Sequence, residues 1–139
     1  MEKMLVPVDG SKQSNLAAKW AAERAAETGG TITLLHVHAA PAAEVMGMSQ
    51  LSREEIAEIE RQHAQPSFDQ ASAAMGTEPA DTIIALGDPG EEIIGAARLG
   101  GFDHIVMGSR GLSPLKELLL GSVSEHVIRK SHCPITIIR

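Results

Sequence analysis

Short, nearly unbroken apolar runs alternate along this chain with longer stretches in which apolar residues recur every three or four positions. The runs occupy residues 4–8 (MLVPV), 31–37 (TITLLHV), 81–86 (DTIIAL), 104–107 (HIVM) and 134–138 (PITII). Apolar runs of this length, rich in β-branched residues, suit strands covered on both faces. Between them, Leu16 and Trp20, and Ala17, Ala21 and Ala25, recur at helical spacing, with Lys19, Glu23 and Glu27 on other faces, so a helix is predicted over residues 14–28, stopped by Gly29 and Gly30. Ser52 to Glu55 reads as a capping box in front of Ile56 and Ile59. That helix is expected to run to about Gln65, with Pro66 forcing a kink or restart before a segment over residues 68–75 that Gly76 closes. Residues 87–90 (GDPG) read as a turn, residues 91–99 as a helix with its acids in the first turn, and residues 122–131 as a last helix with Arg129 and Lys130 at its negative end.

Strands alternating with helices imply one α/β domain over residues 1–139, with a parallel sheet, right-handed crossovers and helices on both faces. Ligands of such sheets sit beyond the carboxyl ends of the strands, where the winding reverses. Those ends carry Asp9-Gly10-Ser11, His36-Val37-His38, Gly87-Asp88 and Gly108-Ser109-Arg110-Gly111, and the first and fourth look built for a ligand.

Composition narrows the picture. Apolar residues make up 43% but only Trp20, Phe68 and Phe102 are aromatic, so the core is packed aliphatically. A net charge of −6 argues against sequence-independent nucleic-acid binding, which needs clustered Lys and Arg. The single cysteine, Cys133, excludes an intrachain disulfide and a cysteine-based zinc framework. With no long apolar run and no signal segment, a cytoplasmic protein with no membrane partner is expected.

The stretch from Ile105 to Lys130 carries the candidate chemistry. A strand delivers glycines to a helix start, with spacing Gly108-x2-Gly111-x9-Gly121-Ser122. Glycines let the backbone approach an anion, and the first N–H groups of the helix point at it. The spacing matches neither the P-loop nor the dinucleotide fingerprint. Ser122-Val123-Ser124-Glu125 also reads as a capping box, which would place Glu125 at the helix end that a phosphate would occupy. A P-loop lysine is missing; Arg110 and Lys116 are the cations left to meet phosphates, and no acid is placed to orient a water, so the site reads as a nucleotide holder with slow or absent hydrolysis. His36 and His38, two apart, face one side of a strand, but no third metal ligand of suitable spacing accompanies them.

The opening MLVPVDGS with Asp9, the LLHV strand, the GxxGxxxxxxxxxGS signature and the closing SHCPITII together resemble the ATP-binding branch of the universal stress protein family. The resemblance covers essentially the whole chain and implies a doubly wound, Rossmann-like five-stranded parallel sheet of order 3-2-1-4-5. It implies ATP with Mg2+ as the ligand: Val37 holding adenine through its backbone, Asp9 and Gly108 at the ribose, and Gly111, Gly121, Ser122, Val123 and Ser124 around the phosphates. Pro7, Met107 and Arg110 flank these positions. The strand order would set Asp9 opposite the glycine loop, in reach of ribose or Mg2+. The resemblance also implies a stress-response role and a homodimer through the strand that starts at Pro134 and ends at Ile138, an apolar edge with only Arg139 to guard it. The alternatives are an adenylating enzyme of the adenine-nucleotide α-hydrolase group, against which the lack of SGGxDS and HxGH motifs speaks, and a nucleotide-free interaction module.

Overall fold

The five apolar runs pair as parallel strands in a computed structural model that describes residues 1–39, 46–110 and 121–139. In chain order the elements are β1 (Lys3–Pro7), α1 (Lys12–Thr28), β2 (Thr31–His38), α2 (Arg53–Met75), β3 (Asp81–Leu86), α3 (Pro89–Leu99), β4 (His104–Gly108), α4 (Ser122–Lys130) and β5 (Ile135–Ile138). The sheet order is β3-β2-β1-β4-β5, so the winding reverses between β1 and β4.

Side chains that alternate along each strand feed two separate cores. Met4, Val6, Val8, Ile32, Leu34 and Val106 face α1 and α2, where Ala17, Ala18, Ala21, Ala64 and Phe68 pack on them. Leu5, Leu35, Ile105 and Met107 face the other way, against Ile93 and Ala97 of α3 and Val127 of α4. The alanine face of α1 lets that helix lie close to the sheet. Leu5, Leu34 and Leu35 are fully buried, each stabilising the fold by about 1.5–3 kcal/mol. Among the described residues, no helix is long and apolar enough to cross a membrane.

Three local expectations need correction. First, α1 begins two residues before Ser14, because the Ser11 hydroxyl accepts the Ser14 N–H at 3.2 Å and caps the helix. Second, residues 87–90 are not simply a turn. Asp88 accepts the Glu91 N–H at 3.1 Å as the cap of α3, and Pro89 takes the first helical position, where its missing N–H costs nothing. Third, α2 does not restart at Pro66 but continues as one helix through it to Met75. Ser67, Phe68 and Ala71, all beyond the proline, are buried against the sheet, and that packing holds the second half in line with the first. The capping box at the start of α2 forms as expected, with both the Ser52 and Glu55 bonds at 3.1 Å.

The exposed Pro66 ring lies within a helix whose packing is already fixed on either side. Replacing Pro66 by Ala restores a donor for the Gln62 carbonyl, so the urea midpoint should rise, by a free energy of up to about 3 kcal/mol. A lowered midpoint would show that α2 depends on the proline's shape.

Candidate functional site

At the reversal between β1 and β4 an open cleft of about 150 Å3 lies beyond the carboxyl ends of the strands, the place where ligands of such sheets bind. Of the residues expected at a ligand, Pro7, Asp9, Val37, Met107, Gly108, Arg110, Val123 and Ser124 line it. Gly121 and Ser122 stand at its border as the first residues of the α4 end, and Gly111 lies outside the described residues. Ser11, from the strand end read as built for a ligand, also lines the cleft, and sequence reasoning missed Val8, Ser14, Leu35, Pro89 and Ile93. The Asp9-Gly10-Ser11 turn pointed towards Ser14, but nothing local marked the start of α3 as a wall.

Asp9 is held by its own turn. Its Oδ1 accepts the Ser11 N–H at 2.9 Å, and its own N–H donates to the Ser14 hydroxyl at 3.3 Å. The turn reading is therefore realised, at a position that also lines the cleft. Across the cleft, the Ser124 hydroxyl lies 2.9 Å from both the Gly108 and Ser109 carbonyl oxygens. Its proton ties the end of β4 to α4, so Ser124 offers a ligand its backbone rather than its hydroxyl.

The capping box expected at Ser122 does not form. The cap of α4 is Gly121, no side chain among the described residues caps the first turn, and Glu125 instead meets Arg129 at 2.6 Å, one turn on. The i,i+4 partner wins because it offers a full charge along the helix surface. The starts of α1, α2 and α3 are closed by Ser11, Ser52 and Asp88, whereas α4 turns towards the cleft an N-terminus that no side chain among the described residues caps. Such an end, with its unfilled N–H groups and positive dipole, favours an anion.

The ends of β2 add a second open group. Ile32 and His38 give their carbonyls to Ala80 and Gly87 on the β3 side, and Leu35 gives its carbonyl to the Val8 N–H, at 2.8 Å, on the β1 side. Alternation along the strand therefore turns the Val37 N–H and C=O towards β1, past the last rung of that ladder and onto the cleft.

On the opposite face of β2, His36 and His38 are joined by residues no sequence spacing indicated. His36 Nδ1 bonds the Val8 carbonyl at 3.1 Å and its Nε2 meets His63 Nδ1 at 2.8 Å. His38 Nδ1 pairs with the Glu60 carboxylate at 2.9 Å, and its ring stacks on His63 at 3.7 Å. Among the described residues no set of three or more His, Cys, Asp or Glu is arranged to hold a metal ion. Burial pushes the His36 imidazole below its ordinary pKa; His63 and His38 push the same way, against the Val8 carbonyl and Asp9.

The family model for the universal stress protein family matches residues 1–139. The chain belongs to that family. Among universal stress proteins it is 36% identical to YxiE of Bacillus subtilis, over 99% of this chain and 98% of that one. The solved structure of MJ0577 from Methanocaldococcus jannaschii superposes with a TM-score of 0.78 at 31% identity, covering 99% of this chain and 94% of that one. A universal stress protein solved in complex with cAMP matches with a TM-score of 0.66 at 25% identity, over 99% and 96% of the two chains.

Two glycines of this universal stress protein differ in what surrounds them. A Cβ at Gly108 would lie 2.7 Å from Gln13 Cβ and 2.9 Å from its backbone carbon, whereas at Gly121 it would meet nothing nearer than 3.4 Å. Gly108→Ala should therefore destabilise the fold by about 1–3 kcal/mol, and Gly121→Ala should leave it within about 1 kcal/mol of wild type; denaturant melts compare the two, and equal losses would refute the distinction. The lowered His36 pKa means that the unfolded chain binds more protons, so stability should be lost as pH falls below about 6.5. His36→Asn should flatten that loss by up to about 1.4 kcal/mol per pH unit between pH 6.5 and 5, and an unchanged pH profile would show that His36 does not contribute.

Proposed function

We propose that this universal stress protein binds ATP with Mg2+ in the cleft between β1 and β4 and acts as a nucleotide-dependent regulatory protein with slow or no hydrolysis. The observation that carries the reading is the Val37 backbone edge, a donor and an acceptor left side by side where the β1 ladder ends. Adenine offers an acceptor at N1 and a donor at its 6-amino group, the complement of that edge, whereas guanine offers the reverse. The solved relative in complex with cAMP supports an adenine nucleotide as the class of ligand.

From Val37 the ribose would lie towards Asp9 and Gly108, and the phosphates towards Gly111, Gly121, Ser122, Val123 and Ser124. The uncapped start of α4 supplies N–H groups for them. Magnesium commonly uses one carboxylate and relies on phosphate oxygens and water for the rest, which fits Asp9 as the one acid lining the cleft among the described residues. The glycine signature lacks the lysine that a P-loop places directly after its last glycine, and Asp9 is the one acid lining the cleft among the described residues, which supports slow or absent hydrolysis. The edge position of β5, with Ile135 and Ile137 only half-buried, supports a homodimer through that strand.

Calorimetry with ATP and Mg2+ tests the proposal. ATP should bind, GTP about 5- to 150-fold more weakly because its edge leaves buried groups unpaired, and Gly121→Leu should abolish ATP binding while the protein stays folded. No heat of binding to ATP would overturn the reading.

A further inference from the structure

The Val37 N–H is open for a reason that lies on the other face of β2. In the register that pairs Val6 with Leu34 and Pro7 with Leu35, Val8 comes opposite His36. A parallel ladder would follow the Val8 N–H to Leu35 bond with a bond from the Val37 N–H to the Val8 carbonyl. The first bond is made, at 2.8 Å, and the second is not. The Val8 carbonyl is instead bonded to His36 Nδ1 at 3.1 Å.

A carbonyl only accepts, so His36 Nδ1 carries the proton and its Nε2 accepts from His63 Nδ1–H at 2.8 Å. The His36 ring cannot swing away. It is 4% exposed, held at both nitrogens and packed edge-on against Phe68 at 6.3 Å. We propose that His36 is a positioning residue: it takes the Val8 carbonyl out of the ladder, so that the rung that would close on Val37 stays open as the edge that reads adenine. His63 acts one step behind it, fixing the tautomer and orientation of His36. The role in adenine recognition rests on the function proposed above, whereas the open rung is a property of the free protein.

Without the imidazole the buried Val8 carbonyl lacks its partner, and the donor that the ladder offers is the Val37 N–H. Amide hydrogen exchange on the nucleotide-free chain reads this directly. In the wild type, the Val37 amide should exchange at least about 10-fold faster than the Leu35 amide; His36→Leu should slow it by a similar factor. His36→Asn, whose side-chain amide can still donate to Val8, should restore fast exchange. In binding, an ATP analogue with N1 replaced by CH should lose about 5- to 10-fold on the wild type and nothing further on His36→Leu.

A wild-type Val37 amide as protected as Leu35 would overturn the proposal without recourse to any variant, which covers the case in which His36→Leu fails to fold. An unchanged Val37 amide in a folded His36→Leu protein would overturn it equally. Failure of the wild type to bind ATP would overturn the nucleotide reading and with it the adenine role, while the exchange rates would still decide whether His36 holds the rung open.

Discussion

Between β1 and β4 the chain leaves the sheet in opposite directions, α1 to one face and α4 to the other. Two neighbouring strands therefore lose their helices from between them, and their last backbone groups have no further strand to bond. A buried backbone group without a partner is costly, so each such group must be answered by a side chain or left for a ligand. Most are answered locally. The Ser11 and Ser14 hydroxyls close the start of α1 around Asp9, the Ser124 hydroxyl ties the Gly108 and Ser109 carbonyls, and Gly121 N–H bonds Ser109 O at 2.7 Å. Among the described residues no side chain answers the Val37 edge or the first turn of α4, and both stand at one cleft.

This constraint separates two glycines that look equivalent in sequence. Gly108 is required by the fold, because the first turn of α1 crosses it with the Gln13 backbone too near for a Cβ. Gly121 has φ −77° and ψ 168°, an ordinary extended conformation, and room for a methyl group. Nothing among the described residues demands a glycine there.

The sheet was legible because its strands are apolar on both faces, which leaves few competing readings for runs such as residues 31–37. Caps were legible where they were compact, as at Ser52 and Glu55, and misread where two partners competed: Glu125 had a choice between the helix start and Arg129, and only packing and charge decide it. Pro66 was misread because the penalty of a proline is local whereas the burial of Phe68 that outweighs it is tertiary. The histidine group was invisible for a related reason. His36 and His38 lie on β2 and His63 and Glu60 on α2, and no local spacing brings them together. The phosphate and adenine assignments came from the family resemblance, which the family model bears out at the level of family and fold; the open Val37 edge and the uncapped α4 are what the structure adds beneath them.

The central claim is that the unfilled backbone groups at Val37 and at the start of α4 form one nucleotide site. Titration of the 15N-labelled protein with ATP and Mg2+, followed in amide correlation spectra, tests it most directly. With one shared nucleotide site, the largest saturable shifts fall on Val37, Asp9 and the run from Gly121 to Ser124, all fitting a single dissociation constant. Saturable shifts centred elsewhere, or shifts at α4 without any at Val37, would contradict it.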